Sequence, residues 1–165
     1  RPSGGSIFRI YRDIRFSKDK TPYKTQAAIH FRHASSKDAH AAGYYLHLEP
    51  GNIFAGGGIW HPDSANVAKI RAAIDGRAEE WKRITSDRTL LADHTIEGES
   101  LKRPPKGYDA DHPLIDDLKK KDFFTVRNYD DAEVFSPGFI DLYADSCRIE
   151  SKFMAFLTSA VGLPW

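Results

Sequence analysis

Arg9, Tyr11, Asp13 and Arg15 stand at every second position near the start of the chain, and Tyr45, His47 and Glu49 repeat that spacing further on. On extended backbone alternate side chains share a face. If the strands carrying these residues lie in one sheet with their apolar faces toward helices, then Arg9, Tyr11, Asp13, Arg15, His47 and Glu49 occupy the opposite face. Whether His30 and Arg32, or instead His33, join them depends on register. Arginines fork onto phosphate or carboxylate, while tyrosine, histidine and glutamate donate hydrogen bonds and move protons. The plainer reading is a solvated face carrying cross-strand ion pairs worth about 0.2–1 kcal/mol each. Arg12 breaks the alternation, since its parity puts a charge on the apolar side. It needs a carboxylate partner or a place beyond the edge of the core.

Two loops add cations and flat rings. Residues 17–24 carry Lys18, Lys20, Tyr23 and Lys24, and residues 102–108 carry Lys102, Arg103, Lys106 and Tyr108 around a proline pair. Positive charge beside a ring can hold a phosphate and stack a base, although each loop alone reads equally as solvated surface. Neither has the glycine and Lys-Ser/Thr spacing of a phosphate-binding loop. The seven histidines show no HExxH, and arginines beside Asp13, His47 and Glu49 disfavour a divalent ion there, so no metal is assigned. No GxSxG elbow or GxGxxG fingerprint is present. Cys147 is expected on the inward stripe of a helix, where burial makes a thiol inert.

The elements that must position these groups follow from periodicity. Residues 7–16 alternate, with Phe8, Ile10, Ile14 and Phe16 on the core side, and predict a strand. A basic turn ending at Pro22 leads to a second strand over 25–33. After a small, polar segment at 34–42, strands over 43–49 and 53–60 are joined by the Pro50-Gly51-Asn52 turn, giving an antiparallel meander. The run Gly56-Gly57-Gly58 predicts a bulge or a close approach by another group. From Asp63 the period changes: Val67, Ile70, Ile74, Ala78, Trp81 and Ile84 form one helical stripe. A short strand over 95–101, a loop over 102–113, a short helix capped by Asp111 and a strand over 123–127 follow. Ser136 and Pro137 then open a last helix with Ile140, Tyr143, Cys147, Met154, Leu157 and Val161 inward, stopping at Gly162. Strands precede most helices, so the expected fold is α+β, a mostly antiparallel sheet with helices packed on one face.

With 165 residues, 41% hydrophobic and 28% charged, the chain can bury about 70% of its unfolded surface as a single α+β domain over 1–165. A lone cysteine excludes an internal disulfide and favours a reducing, cytoplasmic setting. No apolar run approaches the ~20 residues of a membrane span, so no membrane partner is expected. Net charge is only +1, yet residues 1–33 hold eight basic and two acidic residues, leaving 16 basic and 21 acidic in the rest. That asymmetry points to an anion-binding face.

The strings FRIYRDIRFSKDKTPYK at 8–24, GYYLHLEPG at 43–51, GGGIW at 56–60 and LKRPPKGYDADHP at 101–113 resemble the family called domain of unknown function 2461, from about Phe8 to Phe124. The resemblance implies conserved bacterial and fungal proteins with no established activity. It transfers no catalytic residue and names no cofactor. It further implies a helical segment before the Phe-Arg-x-Tyr-Arg-Asp strand, which this chain is expected to lack. The expected function is binding of an anionic small molecule, a nucleotide or phosphorylated metabolite, on a basic sheet face, with or without catalysis. The alternatives are a nucleic-acid-associated protein, against which near-neutral charge counts, and a structural or protein-interaction domain.

Overall fold

A computed structural model describes residues 5–32 and 42–165. Three successive strands, β1 (Ala27–Arg32), β2 (Gly43–Glu49) and β3 (Asn52–Ile59), form the expected antiparallel meander. The Pro50-Gly51 corner closes the β2–β3 hairpin, with Gly51 at φ 74°, a conformation glycine adopts without steric cost. Next come α1 (Ser64–Gly76), α2 (Ala78–Thr85), α3 (Arg88–Asp93), β4 (Thr95–Glu97), α4 (Ile115–Leu118), β5 (Phe123–Tyr129), α5 (Asp131–Val134) and α6 (Phe139–Ala160). The sheet order is β1-β2-β3-β5-β4, antiparallel throughout. This is an α+β fold with α6 laid across β3 and β5.

The helical stripe holds: Ile70, Ile74 and Trp81 are fully buried, and with Ile59, Phe123, Phe153 and Leu157 they build the main core. Burial of each such side chain contributes about 1.5–3 kcal/mol. Asp63 caps α1 by accepting from the Asn66 amide at 2.7 Å. The stripe is nevertheless two helices, because the backbone leaves the helical region at Arg77.

Several expectations are corrected. Residues 7–16 are not a strand: Ile7 bridges Ile29 and Tyr11 bridges Tyr23 as isolated pairs. The Phe8 amide donates to Ala28 O, after which Arg12 and Lys24 bond across to Pro22 O and Ile10 O. The segment thus leaves β1 after Phe8 and folds on itself as an arm, and Pro22, lacking an amide hydrogen, limits its ladder. Ile10, Ile14 and Phe16 are consequently exposed, Phe16 at 95%. No side chain, Asp111 included, caps α4; His112 Nδ1 accepts from the amide of its boundary residue Leu114 at 3.1 Å. No side chain caps α6, whose N-terminal boundary residue is Gly138. Ile140 is 70% exposed, whereas Phe139, Ser146, Glu150 and Phe153 are buried. Met154 and Leu157 are buried as expected, but the first half of the inward stripe is offset, because two of its members are polar. Phe135 and Trp165 are exposed as well. Expectations for His33 and residues 34–41 lie outside the described residues.

Gly56-Gly57-Gly58 sits in β3 at the centre of the sheet without a bulge: pairing with β2 is continuous, and pairing with β5 skips Gly56 and Gly57 but resumes at Gly58 in the same register. The close approach is real. A Cβ on Gly57 would stand 2.7 Å from Glu150 Oε2 and 2.9 Å from Met154 Sδ, and one on Gly58, at φ 154°, would meet the Phe123 and Phe124 backbone.

Candidate functional site on the open face of the sheet

Period-two geometry sends Tyr44, Leu46 and Leu48 toward α6 and Tyr45, His47 and Glu49 to the opposite face. On that face three successive outward positions of β2 form a hydrogen-bonded line. Tyr45 Oη lies 3.0 Å from His47 Nδ1, and His47 Nε2 lies 3.3 Å from Glu49 Oε2. Thr25 donates its hydroxyl to Glu49 Oε1. One tautomer satisfies every contact: the Tyr45 hydroxyl donates to Nδ1, and Nε2–H donates to the carboxylate. His47 is only 7% exposed, so both ring nitrogens need partners, and both have them. The Thr25 hydroxyl, and then His47, hold the Glu49 carboxyl below the usual glutamate range. Burial raises the Tyr45 phenol, keeping it a donor.

Rings surround this line. Phe54, opposite His47 in the β2–β3 register, stacks on the imidazole at 4.7 Å and 14°. Tyr45 meets Phe54 at 5.8 Å and His30 at 6.5 Å. The arm contributes Phe8, whose ring lies 6.4 Å from both His30 and Tyr45. Lys24 Nζ stands 5.9 Å from the Phe8 ring centre and has no carboxylate partner among the described residues. Burial, then the Arg32 charge, lowers the His30 pKa. This arrangement can hold a flat group against half-buried rings and place an anion by a cation.

The remaining arm residues are arranged differently from expectation. Arg15 forks onto Asp13 at 2.9 and 2.7 Å, and that bond is the main cause of the lowered Asp13 pKa. Arg12 finds its carboxylate in Asp19 and also reaches Thr21 Oγ1 at 2.9 Å. Lys20 donates to Ile14 O at 2.9 Å, and the Tyr11 and Tyr23 rings lie 5.4 Å apart. Arg9 and Lys18 have no carboxylate partner among the described residues. The two basic loops attach to opposite edges of the sheet order: residues 17–24 precede β1, whereas Lys102, Arg103, Lys106 and Tyr108 follow β4. There Tyr108 packs on the main core and His112 bonds Asp75 of α1 at 3.1 Å.

A second polar group, which sequence reasoning missed, lies between sheet and α6. His94 Nε2 is 2.7 Å from Ser146 Oγ and 3.2 Å from Glu150 Oε1. Nearby Cys147 is half-buried, and burial pushes its thiol up to about 11. Its backbone carbonyl accepts from the Tyr44 hydroxyl at 3.0 Å. No group of three or more His, Cys, Asp or Glu able to hold a metal exists among the described residues. No described helix is long and apolar enough to cross a membrane.

Fold and site together define an α+β protein with an antiparallel sheet, helices on one face and a tyrosine–histidine–glutamate line on the other. The chain belongs to the family described as "Conserved hypothetical protein (DUF2461)", whose model matches residues 1–156 of the 165. No curated protein and no solved structure matches it.

Proposed function

We propose that the open sheet face binds a small anionic molecule with a flat portion, a nucleotide or phosphorylated metabolite, in a cytoplasmic setting. One observation carries the reading: an ammonium without a carboxylate partner among the described residues, Lys24, stands beside a ring cluster that contains the Tyr45–His47–Glu49 line. Lys24 draws the anion, Phe8 and Tyr45 take the flat group, and His47 is the group through which a proton passes if the bound molecule reacts. Arg12 and Arg15 are neutralised by Asp19 and Asp13, so they contribute less to the grip than Arg9, Lys18 and Lys24.

Thermal-shift screening with nucleotides, sugar phosphates and carboxylates tests it. A ligand present at a hundredfold excess over its Kd stabilises by about 2.7 kcal/mol. The expected result is a shift that Lys24→Ala or Phe8→Ala removes, with circular dichroism showing each variant folded. A folded Lys24→Ala protein with the full response defeats the reading. A response only to DNA or RNA, weakening steeply with salt as counterion release requires, replaces it with nucleic-acid binding.

A further inference from the structure

Exposed apolar side chains collect at two places of opposite charge. The first is the arm. Its backbone closes on itself where the Arg12 amide donates to Pro22 O at 3.0 Å and the Lys24 amide to Ile10 O at 2.8 Å, so residues 13–20 form its tip. Arg12 on Asp19, the Thr21 amide on Asp19 Oδ1 at 2.9 Å and Lys20 on Ile14 O at 2.9 Å hold that tip in shape. It nevertheless turns Phe16 to solvent at 95% exposure, with the Arg15 guanidinium 5.8 Å from the ring centre. Residues 9–24 carry six basic and two acidic residues, and both acidic ones are taken by Arg12 and Arg15. The second place is the α5–α6 junction. A capping box between Asp130 and Glu133 fixes α5, and beyond it Phe135 is 84% and Ile140 70% exposed. Residues 130–145 carry five acidic residues and no basic one. Asp131 and Asp141 have no cation partner among the described residues.

A single exposed apolar residue is ordinary. Here two shaped surfaces match in both respects: each offers large apolar side chains, and their charges, +4 for the arm and −5 for the junction by these counts, are opposite. No hydrogen bond, ion pair or ring contact among the described residues joins residues 13–20 to residues 130–145 within one chain, and both keep their apolar side chains in solvent. A second copy supplies to each surface what the first copy does not. With a net charge of only +1, two copies approach without strong repulsion. We infer that the chain forms a two-fold dimer in which the arm tip of each copy docks on the α5–α6 junction of the other, Phe16 burying against Phe135 and Ile140 while Lys18 and Lys20 face Asp131 and Asp141. Two-fold symmetry makes each such contact twice. A tip already held by its own hydrogen bonds loses little freedom on docking, which favours association. Phe8 and Lys24 lie outside the tip, and the dimer does not require the ligand proposed for the open face.

Sedimentation velocity over a concentration series reads the association directly. The wild-type chain is expected to dimerise, with a dissociation constant that rises with salt as screening weakens the charge contacts. Lys18→Glu with Lys20→Glu should raise that constant at least about tenfold, since like charges then meet across the contact. Asp131→Lys with Asp141→Lys should do the same from the other side. All four substitutions together make the charges opposite again and should restore the dimer. Phe16→Ser removes only the apolar anchor and should weaken the dimer about tenfold. As a control, Lys69→Glu with Arg83→Glu changes net charge as much as the arm reversal does, at exposed positions of α1 and α2, and should leave the dimer intact. Circular dichroism shows each variant folded. Loss in both reversals with recovery in the fourfold variant supports the inference. A wild-type chain that stays monomeric up to about 1 mM overturns it and leaves the arm tip to a different partner. A dimer indifferent to the reversals, a fourfold variant that stays monomeric, or a control that dissociates the dimer overturns it as well.

Discussion

The sheet carries a histidine–glutamate pair on each face, and the two are built differently. His47 and Glu49 are two residues apart on one strand, and each has further partners in Tyr45 and Thr25. His94 and Glu150 come from the α3–β4 junction and the middle of α6, and both keep an unsatisfied atom. The Nε2-to-carboxylate distances are nearly equal, 3.3 and 3.2 Å. What differs is the surroundings: Glu49 keeps 27% of its side chain exposed and Glu150 2%. Similar chemistry therefore serves separate ends. The open pair stands where solvent reaches its carboxylate, while the sealed pair lies between helix and sheet, where unmatched polar atoms are costly.

The contrast is broken most directly by deleting each carboxylate. Glu150→Ala truncates a side chain that is 1% exposed and leaves a cavity beside His94 and Ser146, so a loss on the order of 2–5 kcal/mol is expected in urea denaturation. Glu49→Ala should cost less, because solvent reaches this carboxylate and can replace part of what it gives Thr25 and His47. Equal losses in the two variants would show that the faces do not differ in the way described.

A smaller effect sharpens the same point from the sheet side. Gly57→Ala places a methyl group against Glu150 Oε2, Met154 Sδ and the Tyr44 ring at 2.7, 2.9 and 3.1 Å. These are ends of side chains, which can yield, so the expected cost is that of overpacking, about 1–3 kcal/mol. In Gly57→Ala combined with Glu150→Ala the costs should fall short of additive, since the carboxylate that the methyl displaces is gone. Strict additivity would mean that Glu150 does not rest on Gly57.

How much of this was legible in the sequence divides along the same line. The β1–β3 meander and the Ile70–Ile74–Trp81 stripe were readable because periodicity and turn residues are local signals. The outward direction of His47 and Glu49 was readable too, and Tyr45 stood on the same parity. Phe8 was not: alternation assigned it to the core, whereas the arm carries its ring to the open face. The inner cluster left no local trace, since Ser146 and Glu150 look like the solvated side of a helix until His94, 52 residues before Ser146, is brought beside them. That same pair of polar residues displaced the expected inward stripe of α6 toward Ile140. Arg12 carried a readable demand for a carboxylate, and Asp19 meets it.

The smallest expected effect concerns acid. Glu49 has its pKa lowered below 4.5 by the Thr25 hydroxyl and then by His47. A depressed folded pKa means that the unfolded chain takes up the proton more readily. The contribution is complete above the ordinary glutamate value and is lost as pH falls through the depressed one. His30, lowered from 6.5 by burial and by Arg32, obeys the same sign at higher pH: its contribution is complete above 6.5 and fades below. The open face should therefore lose stability in two steps on acidification, first through His30 and then through Glu49. His30→Gln should flatten the first step and Glu49→Gln the second, as read from urea midpoints taken between pH 7.5 and pH 3.5. Because Glu49 keeps solvent contact, the second step should be shallow and should shrink further in high salt. If Glu49→Gln leaves the acid limb as steep as in the wild type, the Thr25 and His47 contacts do not set its charge.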